Sequence, residues 1–106
     1  MKDYRISPPA EIDLAQIWHY IAADDPLAAN SFIAELLAVM TKLQIEPRMG
    51  RPRSELQPGM RSHPHGKYLI LYRVVDDIVV VSRIINGARD LRRALNEPPK
   101  EPPESN

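Results

Sequence analysis

Two kinds of apolar pattern divide the chain. From Ala10 to Leu43 apolar residues recur at helical steps, whereas from Tyr68 to Ile85 they are nearly continuous. Ala10, Leu14, Ile17 and Ile21 fall on one helical face, with Trp18 beside it. Ser7 ahead of Pro8 and Pro9 marks the start of that helix. The serine hydroxyl can cap free N–H groups, and proline needs no donor in a first turn. The sequence "ADDP" ends the helix, and Asp25 with Pro26 begins another. Its stripe is Ala29, Ile33, Leu36, Met40 and Leu43, flanked by Phe32 and Leu37. Pro47 stops it, because the residue before a proline avoids helical angles. Two helices joined by a short loop predict an antiparallel helical hairpin.

The second half reads as strands. "KYLILYRVV" and "DIVVVSRII" are rich in β-branched and aromatic residues, and Asp76–Asp77 between them predicts a tight hairpin turn. A first strand is expected over Lys2 to Ile6, and a short one in "MRSHPHG", with Pro64 placing it at an edge. "RMGRPRSELQPG" predicts a structured loop, and "GARDLRRAL" a last helical turn. The order is β-α-α-β-β-β. The expected fold class is α+β, with the helical hairpin packed on one face of a small antiparallel sheet. Strict alternation from Val75 opposite Ile78 puts Tyr68, Ile70, Tyr72, Val74, Val79, Val81, Arg83 and Ile85 on one face. The other face then carries Leu69, Leu71, Arg73, Val75, Ile78, Val80, Ser82 and Ile84. Neither is a polar face. Two helices cover only one of them, so loops, the C-terminal segment or a partner must cover the other.

A chain of 106 residues is one domain with a single modest core. The folded domain is expected over residues 1–95. The end, "NEPPKEPPESN" from Asn96 to Asn106, has no large apolar residue to offset ordering entropy and is expected to be a flexible tail. The absence of cysteine excludes disulfides, thiolate chemistry and cysteine-ligated metal. The N-terminus lacks an apolar signal core, and no run approaches the roughly 20 apolar residues of a membrane span. A cytoplasmic location is expected.

Charge sharpens this picture. The net charge is zero, but residues 1–47 carry three Lys/Arg against seven Asp/Glu, and residues 48–93 carry ten against four. A basic half suggests a polyanion or an acidic protein segment as partner, with two solvated faces of opposite sign as the plain alternative. Arg51, Arg53 and Arg61 bracket the loop, while Arg73 and Arg83 lie in strands, where arginine is costly unless paired or functional. Arg83 is expected to share a face with Tyr68 and Tyr72. That group could hold phosphate and stack on a base, or hold a carboxylate-rich helix. Pairing of the arginines with Glu55 or Asp90 is the structural alternative. His63 and His65 are two apart, but a metal would need carboxylates or a third histidine. No metal and no cofactor is expected. Phosphate-binding loop, dinucleotide-binding and nucleophile-elbow signatures are absent.

Four stretches together resemble a known family. They are the Gly-Arg-x-Arg-x-Glu-Leu loop from Gly50, the Gly-x-Arg at Gly59 entering a strand, Tyr-x-Ile-x-Tyr-Arg from Tyr68, and Gly-Ala-Arg-Asp from Gly87. With "DLAQIWHYIAADDPLAA" and "VVSRIINGARDL", they resemble the ParE branch of the RelE/ParE superfamily of type II toxins over about residues 3–95. The resemblance implies a toxin made with a cognate antitoxin, whose C-terminal segment wraps around it. It implies that ParE-type members poison DNA gyrase by protein–protein contact and block replication. RelE-type members are ribosome-dependent mRNA endoribonucleases, with a basic cluster and commonly a Tyr or His near the C-terminal end.

The residues bear on that choice. Cleavage of RNA through the 2′-hydroxyl needs a base, an acid and cations. Arg51, Arg53, Arg61 and Arg83 would supply cations, and His63 or His65 a base. After Ile85, however, no Tyr, His or Lys occurs before Lys100. The expectation is therefore a ParE-like gyrase inhibitor with no reaction of its own and no small-molecule substrate or membrane partner. Its partner-binding candidates are Trp18, Tyr68, Tyr72, Arg73, Arg83 and Arg89. The alternatives are a RelE-like endoribonuclease and an inactive homologue that only binds its antitoxin.

Overall fold

The computed structural model describes residues 3–87, together with residues 90, 91 and 93. Arg89 and the expected tail of residues 96–106 lie outside the described residues, as does the expected domain boundary at 95. The elements are β1 (Arg5–Ile6), α1 (Pro8–Ala22), α2 (Pro26–Ile45), a 3-10 turn (Pro47–Met49), β2 (Arg51–Pro52), β3 (Arg61–His65), β4 (Tyr68–Val75) and β5 (Ile78–Asn86). Gly87, Asp90, Leu91 and Arg93 have helical geometry, as expected for a last turn.

The helix starts follow from their caps. Ser7 Oγ accepts from the Ala10 N–H at 3.3 Å, and Asp25 Oδ1 accepts from the Ala28 N–H at 3.1 Å. Both caps precede a proline in the first turn. By length and composition α2 could cross a membrane. However, it buries Ala29, Leu36, Met40 and Leu43 along one side, as a core helix does.

The sheet has the order β1-β5-β4-β3-β2. It is mixed rather than wholly antiparallel as expected. β1 runs parallel to β5, with Arg5 beside Val80 and Ile6 beside Val81. The helical hairpin follows β1 and brings the chain back over one face. A connection of that length allows the first strand to lie parallel to a later one. Asp76 and Asp77 have φ of 53° and 67°, the left-handed pair that a two-residue hairpin turn of this twist requires.

One feature of β5 overturns the alternation expected from the sequence. Tyr72 pairs with Val81 but Leu71 pairs with Arg83, so Ser82 is an extra residue in a β-bulge. Beyond it, every side chain of β5 changes sides. Ile84 packs in the main core under the helices, and Ile85 packs with Leu71 on the opposite face. Arg83 therefore lies across from Leu71 and does not share a face with Tyr72. The bulge is held from outside: Ser7 Oγ donates to the Ser82 carbonyl at 2.9 Å, and the Ser7 N–H donates to the Val81 carbonyl.

The main core lies between the helices and the sheet. It includes Ile17, Leu36, Met40, Leu43, Tyr68, Ile70, Tyr72, Val79, Val81 and Ile84. A smaller cluster of Met60, Leu71 and Ile85 sits on the opposite, open face, covered by Leu56 of the loop and by Leu69 and Leu91. The chain thus shields part of its second apolar face itself. Towards the β4–β5 turn, Val75 remains 43% exposed.

Candidate functional site

The loop after α2 is fixed by one buried hydroxyl. Tyr72 is fully buried; its Oη donates to the Pro47 carbonyl at 2.6 Å and accepts from the Gly50 N–H at 2.8 Å. Burial raises the pKa of this phenol above its ordinary value, with the Gly50 hydrogen bond and Arg61 opposing. A Cβ on Gly50 would run into the Tyr72 hydroxyl, so only glycine fits there. Arg61 Nη1 donates to the carbonyls of Gly50 at 2.6 Å and Arg48 at 3.3 Å. Tyr72 therefore positions the loop from inside the core and offers no surface to a partner.

Arg83 is paired with a residue that the sequence reading did not single out. Arg83 Nε and Nη2 donate to the two oxygens of Asp13 at 2.8 and 3.0 Å, and Asp13 Oδ2 also accepts from the Ile84 N–H at 2.8 Å. Asp13 is 7% exposed. Its hydrogen bonds raise the Arg83 pKa against the opposing effect of burial. The signal for Asp13 was present in its position. It stands three residues after Ala10 and four before Ile17, on the apolar side of α1, where an acid needs a partner.

Beside this pair a cleft of about 310 Å³ runs along Asp13, Gln16, Tyr20, Tyr68, Arg83 and Asn86. Tyr20 is 69% exposed, and the Lys67 ammonium lies 5.2 Å from the centre of its ring and 6.0 Å from that of Tyr68. Tyr68 also packs on Phe32. Trp18 Nε1 donates to Asn30 Oδ1 at 2.8 Å and so ties α1 to α2.

The residues proposed for ribonuclease chemistry do not converge. Arg61 pairs with Tyr72 and His63 with Ile70, which sets both in register with residues of the helix-covered side. Arg51 pairs with Ser62, and Ser62 with Leu71, on the open side. Arg53 Nε donates to Ser62 Oγ at 2.9 Å, and its Nη1 lies 3.6 Å from Glu55. Arg83 turns to Asp13. His65 Nε2 lies 2.8 Å from Glu35 Oε1 and its ring packs on Phe32. The His63 pKa is lowered by burial, then by His65 and Lys42. Among the described residues no three His, Asp or Glu side chains are grouped as a metal would need.

The arrangement matches a known family. The model of the ParE toxin of the parDE type II toxin–antitoxin system fits residues 4–91. The chain belongs to the ParE toxin family. Toxin ParE1 of Caulobacter vibrioides is 30% identical over 96 residues, covering 90% of this chain and 99% of that protein. Toxin ParE1 of Mycobacterium tuberculosis is 29% identical over 97 residues, covering 87% and 96% respectively.

Solved structures of the same fold include the chromosomal ParDE toxin–antitoxin system of P. aeruginosa. Its TM-score is 0.68 at 23% identity, covering 82% of this chain and 97% of that one. The toxin–antitoxin complex RelBE2 of M. tuberculosis has a TM-score of 0.58 at 26% identity, covering 83% and 95%. As a ParE-family toxin, this chain has the α+β architecture expected of it: two helices on one face of a five-stranded sheet.

Proposed function

We propose that this ParE-family toxin acts in the cytoplasm by binding DNA gyrase and blocking replication, that it performs no reaction of its own, and that a cognate antitoxin neutralises it. The observation that carries this reading is the separation of its basic residues. Arg51 and Arg53 stand on the open side, Arg61 and His63 are in register with the helix-covered side, and Arg83 is committed to Asp13. A phosphorane intermediate needs its cations, acid and base around one phosphate. Trp18, Tyr68, Arg73 and Arg83 remain partner-binding candidates, with the cleft beside Tyr20 as one available surface.

The test adds purified protein to gyrase, ATP and plasmid. Cleaved or unsupercoiled plasmid is the expected result. Normal supercoiling together with cuts in mRNA on translating ribosomes would establish the endoribonuclease reading instead. Silence in both assays, with harmless expression in the absence of an antitoxin, would identify an inactive homologue.

A further inference from the structure

Helix α2 carries a second apolar line that the core does not use. Leu27, Ala34, Ala38 and Ile45 follow one another at steps of seven, four and seven residues, so they fall on one side of the helix. That side lies opposite the buried Ala29, Leu36, Met40 and Leu43 and points away from the sheet. Ala34 and Ala38 are exposed. Leu27 and Ile45, at 77% and 73%, are the most exposed large apolar side chains among the described residues. Single apolar residues scattered over a surface are ordinary, but an uncharged line along a whole helix is not.

The line has the same order of sizes from either end. Leu36 marks its midpoint. Leu27 and Ile45 stand nine residues to either side, Ser31 and Thr41 five, and Ala34 and Ala38 two. Large residues thus occupy both ends, small hydroxyl residues the turns between, and alanines the middle. Thr41 Oγ1 donates to the Leu37 carbonyl of its own helix at 3.3 Å, so its hydroxyl needs no outside acceptor. A second copy laid antiparallel about a two-fold axis level with Leu36 sets Leu27 against the partner's Ile45, Ser31 against the partner's Thr41 and Ala34 against the partner's Ala38. The alanines let the two backbones approach closely.

Charge points to the same occupant. Asp24 lies twelve residues before Leu36 and Arg48 twelve after it, and both are exposed. With Asp25, the leading end of α2 carries two negative charges. Lys42, Glu46 and Arg48 leave the trailing end with one net positive charge. An antiparallel copy sets each end against its opposite, twice by symmetry, and opposes the two helix dipoles. A parallel copy would bring like ends together. The charged residue nearest the midpoint is Glu35, and it is engaged by His65 of its own chain at 2.8 Å.

We infer that the outer side of α2 is a contact surface between two copies of this chain, packed antiparallel about Leu36. The helix has 20 residues, so each stripe is about 30 Å long. Two such stripes bury less than the roughly 1,200 Å² of a standard interface, so the pairing is weak and forms at about 0.1 mM. It does not depend on the gyrase reading.

The test exploits the absence of cysteine from the chain. Leu27→Cys and Ile45→Cys are purified separately, mixed at about 0.2 mM and oxidised. The mixture should form a disulfide-linked dimer, and neither variant alone should. No cross-link in the mixture, or equal cross-linking by Leu27→Cys alone, would overturn the inference, because the latter is the mark of parallel or random contact. Sedimentation equilibrium of the unsubstituted chain between about 10 μM and about 1 mM provides a second measurement. It should fit a monomer–dimer equilibrium. Ala38→Glu places a carboxylate against the partner's Ala34 beside Glu35, and should weaken that equilibrium at least about tenfold. Ala38 is exposed, so the substitution leaves the core intact. A chain that stays monomeric at about 1 mM, or an Ala38→Glu variant that dimerises as well as the wild type, overturns the inference.

Discussion

The two faces of the sheet are made by the same strands, but they treat polar groups differently. Under the helices, Tyr72 is held by Pro47 and Gly50, and Gln44 of α2 reaches the Val79 N–H and the Asp77 carbonyl. At the sheet edge beside α1, Asp13 is held by Arg83 and Ile84. On the open face Arg73 keeps a buried donor without an acceptor, and Val75 faces water. These polar groups of the closed side are paired within the chain, whereas the Arg73 donor on the open side is not. Substitutions should separate the same way, with loss of stability on one side and little or no loss on the other.

The largest effect should come from the edge of the closed side. Asp13→Ala leaves Arg83 and the Ile84 N–H without an acceptor and should cost about 3 kcal/mol, read from the chemical-denaturation midpoint. A cost below about 1 kcal/mol would mean that water replaces the pair and that the edge is not closed after all. Next, Tyr72→Phe should cost about 1–3 kcal/mol, because the Gly50 N–H loses its acceptor inside the core.

On the open side the sign should change. Arg73→Leu removes the unpaired donor, so stability should stay the same or rise by up to about 1 kcal/mol in chemical denaturation. A clear loss of stability would show that Arg73 is structural.

The smallest expected effect is a pH dependence. The folded-state pKa of His63 is lowered by burial, His65 and Lys42, so the unfolded chain takes up its proton first as pH falls. Its contribution to stability is present above the ordinary histidine pKa and is lost as pH drops through the lowered value. His63→Asn should therefore lose less stability than the wild type between about pH 7 and about pH 5. Parallel curves would assign the acid sensitivity to other groups.

Most of the architecture was legible in local signals. Ser7 and Asp25 cap their helices as their position before proline implied, and Asp76–Asp77 makes the hairpin turn. What escaped was non-local. The bulge at Ser82 has no signature in "VVVSRII", because it is fixed by Ser7, distant in sequence, and it moves Arg83 away from the face of Tyr72. The parallel pairing of β1 escaped for the same reason. Asp13 could have been found from its place on the apolar side of α1, but its choice of Arg83 over other cations depends on the folded edge. The approach of Arg73 and Arg5 to either side of Val80 emerges only from the register of three strands.

The parallel edge also bears on the order of events during synthesis. Ser7 and Asp13 wait for partners 75 and 70 residues further along the chain, all in β5. A nascent chain that has made both helices and β4 still lacks the strand that seats β1 and receives Asp13. Such long-range closure comes late and slowly compared with helix formation. A chain built this way has no complete sheet edge until its last strand has been translated, so its fold closes only near the end of synthesis.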